Sequence, residues 1–171
     1  MIAGMILTSI GIFLLYVLLS FIVFKKVPPS LSNTYYMYEH IHKYLKFLFP
    51  IMMFLVAGLL LPAWLEVTSD SIWQFLSFLT CASIMFVGAV PNFKSIGIES
   101  TIHTVAAIFA AVCSILWSIL VVGCWLPIIG WLIIFISIAG FTKTLKSAYI
   151  FWLEMVAFFQ LFTTLIIYLF I

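Results

Sequence analysis

The sequence predicts an all-α protein: a polytopic membrane helical bundle with six transmembrane helices in one domain, residues 1–171. Of the 171 residues, 67% are hydrophobic and only 7% are charged, whereas a soluble domain carries about 25% charged residues. The mean hydropathy is +1.36. No soluble domain of this size could bury so much apolar surface. The apolar residues also fall into six stretches, each close to the ~20 residues that cross a bilayer core.

The predicted spans cover residues 2–24, 45–65, 72–90, 101–123, 125–141 and 148–171. Lys25, Glu66 and Pro91 follow the first three spans and mark their ends. The fourth and fifth spans are separated only by residues 123–127. A single helix over residues 101–141 would be about 60 Å long, twice the ~30 Å core. We therefore expect a turn there, since Gly123 suits a helix end and Pro127 cannot continue a helix interior; a five-span bundle is the alternative.

The lysines predict the orientation. All seven basic residues are lysines, and they lie in the first, third and fifth connections: Lys25, Lys26, Lys43, Lys46, Lys94, Lys143 and Lys146. The second connection carries only Glu66 and Asp70, and the fourth carries no charge. Because lysine-rich loops stay in the cytoplasm, we expect these three connections inside and both termini outside.

The first connection is the longest, and its pattern predicts an amphipathic segment on the cytoplasmic surface at about residues 32–44. Ser32 or Asn33 could cap a helix here, and Glu39 and Lys43 are spaced for an ion pair. Its expected apolar side comprises Met37, Ile41, Tyr44 and Leu45. Pro50 is expected to kink the entry to the second span or to begin a new helix.

Tryptophans and small residues predict how the helices are anchored and packed. Trp64, Trp73 and Trp125 are expected at the outer membrane interface and Trp152 at the inner one. Small residues allow helices to approach closely in lipid, and they line two spans: Ala106, Ala110, Ser114 and Ser118 in the fourth, and Ser77, Cys81 and Gly88 in the third. We expect the fourth span at the centre of the bundle, although these stripes could equally form a homo-oligomer interface.

Few residues within the spans could carry chemistry, and Glu154 is the first candidate because an ionisable group in a membrane is functional by default. It could bind a proton or a cation inside the bundle, or it could reach toward the interface or pair with a lysine. His103 shares a helix face with Glu99, and the two could relay protons or hold a metal. The alternative is a hydrogen-bonded interfacial pair at the positive end of a helix. With Asn92, these residues map to the cytoplasmic side.

Other site classes find no support in the sequence. His40 and His42 point different ways on a helix, so they cannot readily share a metal. Cys81, Cys113 and Cys124 have no metal-site or disulfide spacing and are expected to be small core residues. We expect no cofactor, no metal and no catalytic residue. With no arginine and a net charge of only +2, a nucleic-acid partner is also excluded.

A short motif resembles a known group of proteins. Residues 86–94 (FVGAVPNFK), followed by Glu99 and residues 102–107 (IHTVAA), resemble uncharacterised bacterial multi-pass membrane proteins of the Frag/DRAM-like six-span type. More distantly, they resemble the CREST superfamily of membrane metal-hydrolases, which implies further histidines in a late span. His103 is the last histidine of this chain, so that pattern is incomplete here.

Three functions follow as hypotheses. The first is a non-enzymatic accessory, sensory or assembly component of a bacterial cytoplasmic (inner) membrane, with the lipid bilayer and another membrane protein as partners. The second is a small proton-coupled transporter that uses Glu154 and the His103 and Glu99 pair. The third is a membrane metal-dependent hydrolase with its metal at His103.

Overall fold

The computed structural model describes residues 1–94 and 97–170, with Phe170 described by its backbone only. These residues form only helices and connections. The helices are α1 (Ile2–Phe24), α2 (Thr34–Ile41), α3 (Leu48–Val67), α4 (Gln74–Ala89), α5 (Ile98–Leu120), α6 (Leu126–Phe141) and α7 (Tyr149–Phe170). A short 3-10 helix, Leu45–Phe47, precedes α3. The predicted all-α class is confirmed for this part of the chain, and Ile171, the predicted last residue of the sixth span, lies outside it.

Four of these helices, α1, α3 with its 3-10 turn, α5 and α7, are long and apolar enough to cross a membrane. The chain is therefore compatible with an integral membrane protein. Helices α4 and α6 are apolar but have 16 residues each, which gives a length of about 24 Å at 1.5 Å per residue. They are shorter than the ~30 Å hydrocarbon core.

The helices pack mainly on their neighbours in sequence. Helix α3 packs on α1 and on α4, and α4 packs on α5, while α6 packs on α7. Helix α7 joins the two groups because it also contacts α5 and α1. The bundle thus has a larger part, α1 with α3 to α5, and a smaller α6–α7 hairpin docked against it.

The turn between α5 and α6 has the predicted chemistry. Gly123 adopts a φ of +67°, a left-handed conformation that glycine reaches without the steric penalty of a Cβ atom. Pro127 lies in the first turn of α6, where its missing N–H leaves no helical hydrogen bond unmade. Two separate helices therefore replace the single long helix that residues 101–141 would otherwise form.

Helix α2 differs from the predicted surface segment. Its buried residues are Thr34, Tyr35 and Tyr38, whereas Ile41 and Tyr44, on the expected apolar side, are 55% and 64% exposed. The prediction of that side is wrong because Thr34 and Tyr38 face α1, where their hydroxyls find partners in the hydroxyls of Tyr16 and Ser20. The Tyr38 hydroxyl, for example, lies 3.2 Å from the Ser20 hydroxyl of α1.

Three further local predictions are resolved at this end of the bundle. Glu39 forms its ion pair with Lys46, at 2.7 Å, rather than with Lys43. Asn33 is the N-cap residue of α2 but makes no capping hydrogen bond through its side chain. Pro50 lies in the first turn of α3, so it begins a new helix instead of kinking one.

Helix α5 is not the centre of the bundle, contrary to the prediction. Of the 18 residues that form its most apolar stretch, 33% are buried, compared with 50% for α7 and 44% for α3. Its outer face carries large exposed side chains, such as Val105 and Ile108. The small residues named from the sequence nevertheless lie between helices: Ser77, Cys81, Gly88, Ala106, Ser114 and Ser118 are buried, and Ala110 is half-buried.

Two tryptophans expected at the membrane interface lie inside the protein instead. Trp64 is completely buried and Trp152 is 8% exposed, so neither faces lipid headgroups, which corrects the prediction for both. Trp64 packs edge-on against Trp117 of α5, with ring centroids 5.0 Å apart. Trp73 is half-buried and Trp125 is 54% exposed, so these two remain available as anchors.

Candidate functional site

The main cavity of the described residues lies where α4 and α5 meet the α6–α7 hairpin. Its volume is about 610 Å³, within the ~300–1,000 Å³ that ligand pockets occupy. Its walls come from α4, α5, α6 and α7, with one residue of α3 and two connections closing one end. The lining side chains that carry polar groups are Ser30, Ser32, Thr80, His103, Thr104, Ser114 and Glu154.

Most of the cavity wall is apolar, and it runs deep into the bundle. His103 and Ile115 of α5 both line it, and twelve residues of α-helix span roughly 18 Å. That depth is comparable to one leaflet, half of the ~30 Å hydrocarbon core. The cavity is therefore long, with a polar end near His103 and an apolar remainder.

One side of the cavity opens to the outside of the bundle. Ile108 of α5 and Leu153 of α7 both line the cavity, yet they are 59% and 56% exposed. Side chains that face a cavity and the surroundings at once mark its mouth. The mouth lies between α5 and the α6–α7 hairpin and is itself apolar.

Glu154 lies at the polar end, on the second turn of α7, and is half-buried. Its Oε2 atom accepts a hydrogen bond from the backbone N–H of Leu31 at 2.6 Å. The only ion pair within residues 1–94 and 97–170 joins Lys46 to Glu39, so no lysine neutralises Glu154 there. A carboxylate can accept several further hydrogen bonds, which leaves Glu154 able to receive a donor from the cavity.

His103 lies opposite, near the start of α5, and is 4% exposed. Its Nδ1 atom is 2.7 Å from the carbonyl oxygen of Val90, and its Nε2 atom is 2.8 Å from the Ser32 hydroxyl. A carbonyl oxygen can only accept, so Nδ1 carries the proton and, in the neutral ring, Nε2 accepts from Ser32. Phe93 stacks on the imidazole, with ring centroids 5.2 Å apart, and restricts its rotation.

The segment around Ser30 to Ser32 is the feature that joins these residues. It follows two prolines and packs inside one end of the bundle, where Leu31 is fully buried and Ser30 and Ser32 are nearly so. The Pro29 carbonyl accepts the N–H of Phe151 in α7, at 3.1 Å. Glu154 and His103 thus hold one buried loop from two sides, and they make no ion pair with each other.

A second polar cluster lies deeper, between α5 and α7. Gln160 is fully buried; its amide donates to the Ser114 hydroxyl at 2.9 Å and accepts from the Ser118 hydroxyl at 3.0 Å. These bonds join two helices in the region where the apolar cavity ends. They satisfy a polar side chain that would otherwise be costly inside the bundle.

The structure brings together two of the four polar residues named from the sequence. Glu154 and His103 line the same cavity, whereas Asn92 and Glu99 are exposed. His40, in the last turn of α2, and His42, directly after the helix, are also exposed. The sequence alone does not identify Ser32, whose position predicts a helix cap, or Gln160, which lies within the predicted sixth span.

The arrangement can hold an elongated molecule that is polar at one end. The polar end offers the carboxylate of Glu154 and the hydroxyls of Ser30 and Ser32, while the lining residues that the structure describes include no lysine. A hydrogen-bond donor fits beside the carboxylate, and an anion is disfavoured there by like-charge repulsion. Ser32 and His103 also place a hydroxyl–imidazole pair at this end, and Ser30 adds a second hydroxyl.

The comparisons with known proteins give no relative: no family model, curated protein or solved structure matches this chain.

Proposed function

We propose that this protein is a multi-pass membrane component that binds a single-chain amphiphile in its lateral cavity. The amphiphile is a neutral one whose headgroup carries hydroxyl groups, such as a monoacylglycerol. The observation that carries this proposal is the combination of an apolar, side-open cavity with Glu154 at its closed end. Such binding suits the sensory or accessory role expected from the sequence.

The choice of headgroup follows from charge and hydrogen bonding. Glu154 accepts a hydrogen bond from Leu31 and also faces Ser32, and a carboxylate with about four acceptor positions has capacity for a donor from a ligand. A phosphate or carboxylate headgroup would face this side chain without a compensating lysine in the described lining. Hydroxyl groups can instead donate to Glu154, and the hydrocarbon chain can follow the apolar wall of α5 and α7.

We also propose six crossings, with the three lysine-bearing connections in the cytoplasm of a bacterial cell and both termini outside. Contacts between connections support this, because the first connection touches the third through Tyr36 and the backbone N–H of Lys94, at 3.0 Å. The first connection also touches the start of α7. Helix α4 packs along both α3 and α5. It therefore connects the end of α3 to the start of α5 at the opposite end of the bundle, as a helix that crosses the membrane does.

Binding can be measured on the purified chain by native mass spectrometry, with monoacylglycerol and the matching fatty acid as probes. We expect monoacylglycerol to bind at least about 10-fold more tightly than the fatty acid, a difference of about 1.4 kcal/mol. Glu154→Gln removes the negative charge and should reduce this discrimination. Equal binding of the two probes by the unmodified protein would contradict the proposed headgroup preference.

A second variant tests the cavity itself. Ala111 of α5 lines the cavity, and Ala111→Phe should fill its space and abolish binding of both probes. The matched control is Ala89→Phe, an exposed alanine outside the lining, which should bind as the unmodified protein does. If Ala111→Phe binds normally, the ligand does not occupy this cavity and the proposal fails.

The proton-coupled carrier is a second candidate, favoured by the fact that Glu154 and His103 line one cavity. It predicts a proton flux in proteoliposomes that Glu154→Gln abolishes. Ligand binding without such a flux favours the sensory role over the carrier.

A further inference from the structure

We propose that Ser32 and His103 form a nucleophile–base pair that transfers the acyl group of an ester bound in the cavity. This inference rests on the proposed function, because the bound amphiphile supplies the ester. It adds a reaction to the binding site, with a long-chain acyl ester of a polyol as the substrate class.

The geometry has the three parts that an activated hydroxyl needs. The Ser32 hydroxyl lies 2.8 Å from His103 Nε2, within the ~2.6–3.2 Å range of a nucleophile and its base. The base is oriented in turn by a third group, the Val90 carbonyl, 2.7 Å from Nδ1. That bond places the ring proton on Nδ1 and leaves Nε2 free to take the Ser32 proton.

The surroundings keep this pair in place. Phe93 stacks on the imidazole, and Glu154 accepts the N–H of Leu31, the residue before Ser32. Glu154 is therefore a positioning residue for the loop as well as a headgroup acceptor. Both Ser32 and His103 are nearly inaccessible to bulk solvent, yet both line the cavity, so a molecule in the cavity can reach them.

Ser30 supplies a second hydroxyl at the same end. Its oxygen accepts the N–H of Asn33 at 2.9 Å, and a hydroxyl has one proton left to donate. That proton can go to the ester carbonyl oxygen, where negative charge develops as Ser32 attacks. Donors aimed at such an oxygen lower the barrier of acyl transfer.

The reaction balances in two steps. Ser32 Oγ attacks the ester carbonyl carbon, a new Oγ–C bond forms, and the Ser32 proton passes to His103 Nε2. The bond between the carbonyl carbon and the alkoxy oxygen then breaks, and Nε2 returns the proton to the leaving alcohol. Water next attacks the acyl-Ser32 carbonyl carbon, forms a new C–O bond and gives one proton to Nε2. The bond between that carbon and Oγ then breaks, Nε2 returns the proton to Ser32 Oγ, and the fatty acid leaves.

The test uses the full chain in nanodiscs and two readouts. An alkyl fluorophosphonate with a long chain should add covalently to Ser32, detected by intact mass and peptide mapping. Release of fatty acid from monoacylglycerol should fall by about 100-fold or more in His103→Gln, the scale that a general base contributes. Ser32→Ala should lose both the adduct and the release.

Matched controls separate chemistry from folding. Ser20→Ala removes another buried hydroxyl, one bonded to Tyr16 and Tyr38 away from the cavity, and should leave both readouts unchanged. Binding of monoacylglycerol is measured on the unmodified protein, and a cooperative unfolding transition in detergent shows that each variant, Ser32→Ala included, is folded.

The outcomes distinguish the two proposals. Normal binding by the unmodified protein with neither an adduct nor fatty acid release overturns the inference and leaves the proposed function standing. An adduct on a serine other than Ser32 also overturns it. Absence of binding by the unmodified protein overturns the proposed function itself, and the inference with it.

Discussion

At Gly88, α3 and α4 approach so closely that no side chain fits between them. A Cβ atom added there would lie 2.8 Å from the Cβ of Met53 and 3.4 Å from the carbonyl oxygen of Pro50. Met53 is itself buried, so it has little room to move. We expect Gly88→Ala to lower the free energy of unfolding by about 1–3 kcal/mol, as overpacking in a core does, measured by denaturant titration in detergent.

The control for this prediction is Gly58→Ala in α3. Gly58 is exposed, and nothing lies within 4 Å of a Cβ added to it. That substitution should be neutral or slightly stabilising, because alanine has the higher helix propensity. Equal stability of the two variants would mean that α3 and α4 do not meet at Gly88.

Single residues also show the limit of sequence reasoning at the candidate site. Glu154 and His103 stand out because ionisable groups are rare in an apolar chain. Ser32 does not, since serines are common and this one precedes a helix, where capping is its ordinary role. The bond from His103 to Ser32 joins residues 71 positions apart, and helical periodicity carries no information about contacts at that separation.

At the scale of elements, Gln160 is the polar contact that joins α5 to α7. It bonds to Ser114 and Ser118 of α5, next to the cavity that both helices line. We expect Gln160→Leu to destabilise the protein by about 1 kcal/mol, because interhelical polar contacts in membranes contribute roughly 0.6–2 kcal/mol. The free energy of unfolding in detergent measures this.

A double-mutant cycle shows whether the loss belongs to the contact. The double variant Gln160→Leu with Ser114→Ala should lose less stability than the sum of the two single variants, because both substitutions remove the same hydrogen bond. Ser137→Ala serves as the control, because this exposed hydroxyl of α6 bonds only to Ile133 of its own helix. Additive losses would show that Gln160 and Ser114 are not coupled.

The helices themselves could be predicted where length and composition decide them. The bounds of α1 agree with the first predicted span, and the turn at Gly123 and Pro127 follows from their backbone chemistry. The buried face of α2 could not be predicted in the same way, since a tyrosine ring packs on apolar surface while its hydroxyl needs a polar partner. The face of α2 that is buried depends on the hydroxyl groups of α1, and the sequence pattern of α2 alone gives no information about them.

At the scale of the whole molecule, the polar residues of the candidate site lie at one end of the bundle. The first connection lies between α5 and α7, so the Ser30–Ser32 loop, His103 and Glu154 close the same cavity. The first and third connections, which both carry lysines, lie at this end too, as the contact between Tyr36 and Lys94 shows. In the proposed orientation, a ligand that enters from the bilayer would meet its polar partners near the cytoplasmic surface.

The proposed orientation is testable by cysteine labelling of intact cells. In a Cys124→Ser background, we place a single cysteine at Asp70 or at Ser147, both exposed residues in connections. Cys81 and Cys113 are buried and should stay unlabelled. An impermeant maleimide should label Asp70→Cys on intact cells and Ser147→Cys only after permeabilisation, because the lysines beside Ser147 keep that connection inside.

The pattern of labelling separates the alternatives. If α5 and α6 crossed as one span, the connection after α6 would lie outside, and both positions would react on intact cells. If the chain were inverted, Ser147→Cys alone would react. Only exclusive labelling of Asp70→Cys agrees with six crossings and with a cavity whose polar end, at Glu154 and His103, lies beside the cytoplasm.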